Sequence, residues 1–165
     1  MKKGLETPAR AIFLRVAALL SVLCSATVAA DSNGLYDTYC AMCHQRGGVG
    51  LKGQFPRLAG RAAEIGQSEA GRRFLIEVAL FGMAGKIEVD GTPVVGVMPS
   101  FASLKDEDVA SVLNYIIGLE GQGSPPKRTK PLEAADIAAV RSGEVLSASQ
   151  VLANRAQVLA KAKKK

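Results

Sequence analysis

Two cysteines and the only histidine of the 165-residue chain fall within five positions, Cys40 to His44, in the stretch YCAMCHQRGGVG. Thiols and imidazole at this density point to redox, metal or cofactor chemistry, and the spacing Cys-x-x-Cys-His suits three arrangements. A dithiol redox pair needs its cysteines at a helix start, where the dipole lowers a thiol pKa. Here Tyr36, Cys40 and Cys43 recur at i, i+4 and i+7, so the cysteines close a helical pattern rather than open one. A zinc site needs four ligands, and beyond residue 30 the chain offers three Cys and His side chains. Adjacent Cys43 and His44 are also poorly placed to share one small ion. The third arrangement is covalent haem, in which two thioethers hold the porphyrin edge and the neighbouring histidine binds iron. A macrocycle is wide enough for consecutive residues to reach different parts of it.

Iron held by His44 needs a sixth ligand or an open site. Without a second histidine, bis-histidine ligation is excluded. The methionines beyond residue 30 are Met42, Met83 and Met98. Met42 lies between the two cysteines and cannot reach the opposite face. Met83 follows a helix-ending glycine in LFGMAG, a position that equally suits a loop or core methionine. Met98, in GVMPSF, is preferred, because Pro99 stiffens the loop that would present its sulfur.

The elements that must position these groups are short. A helix is expected from about residue 34 to His44, followed by the Gly-rich loop QRGGVGLKG. FPRLAGRAAE reads as an extended piece and one helical turn. Ser68 to Phe81 reads as a helix capped by Ser68 and ended by Gly82, with Phe74, Leu75, Val78 and Ala79 inward. Asp90-Gly91 marks a hairpin turn, and Pro93 blunts the second strand. A helix capped by Ser103 or Asp106 carries Val109, Val112, Leu113, Ile116 and Ile117 inward, with acids in its first turn. After the boundary GQGSPPKRTK, two thin, Ala-rich helices are expected at Leu132–Arg141 and Ser147–Lys161. Ser147 and Gln150 fit a capping box. These two helices either wrap the preceding domain or touch a partner.

Residues 1–30 read as a secretory signal peptide to be removed. Basic residues open it, an apolar run spans Val16 to Leu23, and Val28 and Ala30 suit cleavage before Asp31. The apolar run is short for an uncleaved membrane anchor, and Leu23 before Cys24 argues against lipid attachment. The formal charge is +6 overall but unevenly spread. Residues 31–121 carry 8 basic and 11 acidic side chains, whereas residues 122–165 carry 9 and 3. The basic balance therefore belongs to a tail ending in KAKKK and is not a nucleic-acid signal for the main domain. For the tail, docking to an acidic partner, contact with an anionic membrane surface and a merely solvated helix end all stand open. About ninety residues without tryptophan make a small core, of the kind that needs a covalent or metal staple.

Residues 34–119 resemble a class I c-type cytochrome. The resemblance rests on YDTYCAMCHQRGGVG, on FPRLAG and on LFGMAGKIEVDGTPVVGVMPSFASLKDEDVASVLNYI taken together. It implies an all-α, cytochrome c-like domain around one covalent haem c, with a small hairpin insertion and a helical C-terminal extension. It also implies thioethers at Cys40 and Cys43 and axial iron ligands His44 and Met98. The Pro56 carbonyl would accept a hydrogen bond from the imidazole, and Leu58 would line the pocket. Arg57 would pair with a haem propionate or remain a solvated surface side chain. The first and last helices of the domain would cross at Gly34 and Tyr115. The long hairpin and the basic extension are similar to those of cytochromes that serve periplasmic dehydrogenases.

Iron with both axial positions taken has no place for a substrate, so the expectation is an electron carrier and not an enzyme. The expected location is the periplasm, with a dehydrogenase as donor and an oxidase or another cytochrome as acceptor. A dedicated subunit of one dehydrogenase complex is the alternative. A haem enzyme or small-ligand sensor with Met98 displaced ranks below both.

Overall fold

The structure, a computed structural model, describes residues 31–121 and 130–162. Residues 1–30, where a signal peptide is expected, and most of the boundary stretch lie outside the described residues. Two short helices open the fold, α1 (Ser32–Tyr39) and α2 (Ala41–His44), followed by a 3-10 turn at Arg46–Gly48. Next come α3 (Arg61–Ile65), α4 (Glu69–Phe81), strands β1 (Met83–Val89) and β2 (Thr92–Met98), and α5 (Asp106–Gly118). Helices α6 (Ala134–Arg141) and α7 (Ala148–Ala162) form the extension. The protein is thus largely helical, as expected, with one small antiparallel sheet.

The expected first helix is broken. The chain leaves helical geometry at Cys40 (φ −119°), and Gln45 closes the second piece at φ 61°. Tyr36 holds this turn: its buried hydroxyl donates to the Gln45 carbonyl at 2.7 Å. Burial and the neighbouring Cys40 push that hydroxyl's pKa up to about 12, so it stays a donor. Helix α1 crosses α5 through the Tyr36 and Tyr115 rings, 5.2 Å apart between centroids. The Asp31 side chain supplies the three atoms nearest to where a Gly34 Cβ would stand.

Helix α4 starts as its sequence suggests, with the Ser68 hydroxyl accepting from the Gly71 amide at 3.0 Å. Its buried side chains are Phe74, Ile76, Glu77, Ala79 and Leu80. That is more than one face, because the extension covers a second side. Helix α5 begins at Asp106 without a side-chain cap, leaving three acids to face its positive N-terminal dipole.

In the hairpin, Val89 pairs with Thr92 around Asp90 (φ 53°) and Gly91 (φ 72°), and Met83 pairs with Met98 at the far end. Left-handed conformations at both turn residues match the twist of a two-residue hairpin. Strand β2 runs through Pro93 rather than being cut short by it. Pro93 faces Glu88, one step beyond the closing pair. That places it in a non-hydrogen-bonded position, where a missing N–H costs nothing.

The extension shares the core. Leu132, Ile137 and Val140 are buried with Ile76, Leu80 and Val109, while Val151 and Val158 are buried with Phe74. Asn114 grips the Leu132 backbone twice, donating to its carbonyl and accepting from its amide, both at 2.8 Å. Buried Glu77 accepts from Arg73 at 2.9 Å and from Asn154 of α7 at 3.1 Å, so its carboxylate is paired on both oxygens. Ser147 and Gln150 form the expected reciprocal cap at the start of α7.

Candidate functional site

A cleft of about 340 Å³ brings the chemistry-bearing residues together. Its lining includes Cys40, Cys43, His44, Pro56, Met83 and Met98, with apolar walls from Phe55, Ile87, Val94 and Phe101. Volume and lining are those of a cofactor pocket rather than an ion site. A smaller apolar cavity of about 80 Å³ adjoins it through Tyr39, Cys40, Met98 and Phe101, and Leu58 lines that second space.

His44 is buried, and its Nδ1 lies 2.8 Å from the Pro56 carbonyl oxygen. A carbonyl can only accept, so Nδ1 carries the proton and Nε2 keeps the lone pair. Burial lowers the His44 pKa, against a smaller opposing effect of the Pro56 bond, so the ring is held neutral. The 55–57 segment reaches His44 only because position 50 is glycine. At φ 68°, a Cβ on Gly50 would stand 2.6 Å from the Phe55 oxygen and the Arg57 nitrogen.

Met98 is presented from the end of β2. Gly82, which ends α4, lets its backbone approach closely: a Cβ there would lie 2.5 Å from the Met98 oxygen. The loop beyond is pinned by Phe101 N to Ala79 O at 2.9 Å and by Ser100 Oγ to Leu80 O at 2.5 Å. Met83 shares the cleft but also packs beside the Phe74 and Ile87 clusters, as a core side chain does. Met98 lines both cavities, which Met83 does not.

Both cysteines are free thiols. Burial, then the neighbouring Cys43, pushes the Cys40 thiol up to about 11. A redox dithiol needs the opposite shift. Among the described residues no group of three or more His, Cys, Asp or Glu could hold a metal ion. The donor set fits haem: two thiols for thioether bonds, a neutral imidazole with its Nε2 free, and a thioether in a common apolar cleft.

Arg57 is placed elsewhere. It does not line the cleft; its guanidinium grips Asp90 at the hairpin tip, with Nε to Oδ2 at 2.6 Å. Spacing alone gave no sign of Asp90, nor of Tyr39 and Phe101, whose rings meet edge-on at 6.0 Å and line both cavities.

Comparison with known proteins bears on the same residues. The family profile described as cytochrome C oxidase, cbb3-type, subunit III matches residues 27–116. A cytochrome c-552 of Thermus thermophilus is 47% identical over 126 residues, 76% of this chain and 95% of that protein. A second cytochrome c-552 of the same species is also 47% identical over 126 residues, and 84% of it is covered. The gluconate 2-dehydrogenase cytochrome c subunit of Pantoea cypripedii is 33% identical over 118 residues, 70% of this chain but 25% of that protein.

Proposed function

Since this chain belongs to the cytochrome c family, as an electron carrier with covalent haem c and not an enzyme, we propose that it carries single electrons in the periplasm. In this reading residues 1–30 are a cleaved signal, 31–121 form the haem domain and 122–165 the extension. Cys40 and Cys43 form the thioethers, and His44 and Met98 are the iron ligands. Electrons pass from a dehydrogenase toward the respiratory chain.

The observation that carries the proposal is the His44–Pro56 hydrogen bond. It leaves Nε2 as the free ring nitrogen in a cleft that Met98 also lines. When bound, the haem supplies one-electron chemistry at an iron whose ferrous state a thioether ligand favours. The protein's residues do the rest. Pro56 fixes the imidazole, and Phe101 with the hairpin valines keeps water from the walls. Gly82 and the pinned loop at Ser100 and Phe101 hold Met98 in one place. Among the described residues, no helix is long and apolar enough to cross a membrane.

Two measurements test this. A pyridine haemochrome spectrum reports the thioethers, and carbon monoxide binding to the ferrous protein at neutral pH reports the sixth position. Met98→Leu should bind carbon monoxide readily, while the parent and Met83→Leu should not. Ready binding by the parent would favour a ligand sensor or haem enzyme.

The likeness to a dehydrogenase cytochrome subunit supports a second reading, a dedicated subunit of one dehydrogenase complex. Co-purification with a stoichiometric large subunit would favour it.

A further inference from the structure

Arg57 and Asp90 join parts of the chain that are 33 residues apart. Arg57 directly follows Pro56, whose carbonyl holds His44. Asp90 sits at the tip of the hairpin whose last residue is Met98. Nε donates to Oδ2 at 2.6 Å and Nη2 to Oδ1 at 3.2 Å, a two-point grip. The remaining guanidinium nitrogen, Nη1, donates to the Ala59 carbonyl at 2.5 Å, so the fork is oriented from its own side as well. Arg61 adds a longer contact to Oδ1 at 3.7 Å. The left-handed backbone of Asp90 and Gly91 sets the carboxylate's direction before any contact is made. Beside it, the Thr92 methyl lies 3.9 Å from where a Gly53 Cβ would stand, so hairpin and loop run close together there.

An exposed ion pair usually contributes little, because two long side chains must be ordered to make it. Here both partners are already oriented, and two-point pairing adds geometric specificity. We propose that Arg57 and Asp90 form a clasp between the hairpin tip and the segment that follows Pro56. They act as a pair of positioning residues that holds the hairpin, and Met98 at its far end, against the loop that carries Pro56. The proposal rests on the reading of His44 and Met98 as axial ligands.

The test uses the ferric holoprotein and three variants: Asp90→Asn, Arg57→Gln and the double substitution. Asparagine tolerates the left-handed backbone as aspartate does, so Asp90→Asn removes the charge and leaves the turn. The readout is the thioether-to-iron charge-transfer absorption during titration with imidazole, which competes with Met98 for iron. Each single variant should lose half the band at about fivefold less imidazole than the parent, and the double variant at no less than the singles. If Arg57→Gln shifts the midpoint and Asp90→Asn does not, Arg57 serves another anion, such as a haem propionate, and the clasp is overturned. Unchanged midpoints in all three variants overturn it equally. A parent protein that carries haem but lacks the band would instead overturn the Met98 reading, and the clasp's role with it.

Discussion

The sharpest test of the extension is Ile137→Ala. Helix α6 spans eight residues, too short to persist in water on its own, so packing must hold it. Ile137 is 0% exposed and sits among Ile76, Leu80 and Val109 of the main domain. The substitution deletes most of a fully buried side chain in a cluster with helices on both sides. Deletions of this kind cost about 2–5 kcal/mol, the upper end applying where neighbours cannot collapse into the gap. For a domain of this size each kcal/mol lowers Tm by roughly 3–5 °C, so a fall of about 10 °C is expected. Thermal unfolding of the holoprotein followed by far-ultraviolet circular dichroism measures it. Val145→Ala is the control, since Val145 is 76% exposed and its loss should leave Tm within about 2 °C. If the two variants melted together, the extension would not be part of the core. A tail free to dock elsewhere would then account better for the unchanged melting.

Three further outcomes follow from the geometry. Gly50→Ala should destabilise by about 3 kcal/mol in denaturant unfolding, combining left-handed strain with loss of the His44–Pro56 bond. Gly47→Ala has φ 70° but nothing within 4 Å of its new Cβ; it should cost only the strain, about 1 kcal/mol. Equal costs would mean that the close approach at Gly50 does not matter. Arg57 holds the Asp90 carboxyl below the usual carboxylate range, so the clasp's contribution is present above the unfolded pKa of about 4 and lost as pH falls through the lower folded value. The stability gap between parent and Asp90→Asn should therefore be constant near neutrality and close under strong acid; a gap that widened under acid would contradict this. Met83→Leu keeps side-chain volume and should cost less than about 1.5 kcal/mol with the charge-transfer band intact; loss of the band would make Met83 the ligand.

Local rules read well where the cause is local. Ser68 caps α4, Ser147 and Gln150 cap α7, and Asp90-Gly91 turns the hairpin, each through contacts within four residues. The pattern Cys40, Cys43, His44 was likewise legible, because the chemistry constrains spacing along the chain. Other features depend on partners far away in sequence. Ile76, Glu77 and Leu80 fell outside the expected inward stripe of α4, since that stripe assumed one covered face. Two faces are covered, the second by Ile137 and Val140 of a helix too Ala-rich to announce itself. The break at Cys40 has no sequence marker, and its support is a hydroxyl on Tyr36 bonding a carbonyl nine residues on. For Arg57 the resemblance left a propionate partner and a solvated surface position both open; its carboxylate partner, 33 residues away, could not be seen from spacing.

The extension bears on electron transfer through where it touches. Arg141 of α6 bonds Asp106 at 2.8 Å and the Leu104 carbonyl at 2.8 Å, and it also reaches the Ala102 carbonyl. All three lie in the stretch from Met98 to the start of α5. Leu152 of α7 packs against the hairpin, 2.5 Å from where a Gly85 Cβ would stand, and Arg155 donates to the Glu88 carbonyl at 2.9 Å. Contacts therefore fall on the chain both before and after Met98. A carrier that changes charge without changing ligands needs walls that do not shift between states, and close packing resists such shifts. An extension anchored by buried Leu132, Ile137, Val140, Val151 and Val158 supplies that resistance. What remains outward on the described part of the extension is mostly alanine, serine and glutamine, with Lys130, Glu133 and Glu144 as its exposed charges and Val145 as its one exposed large apolar side chain.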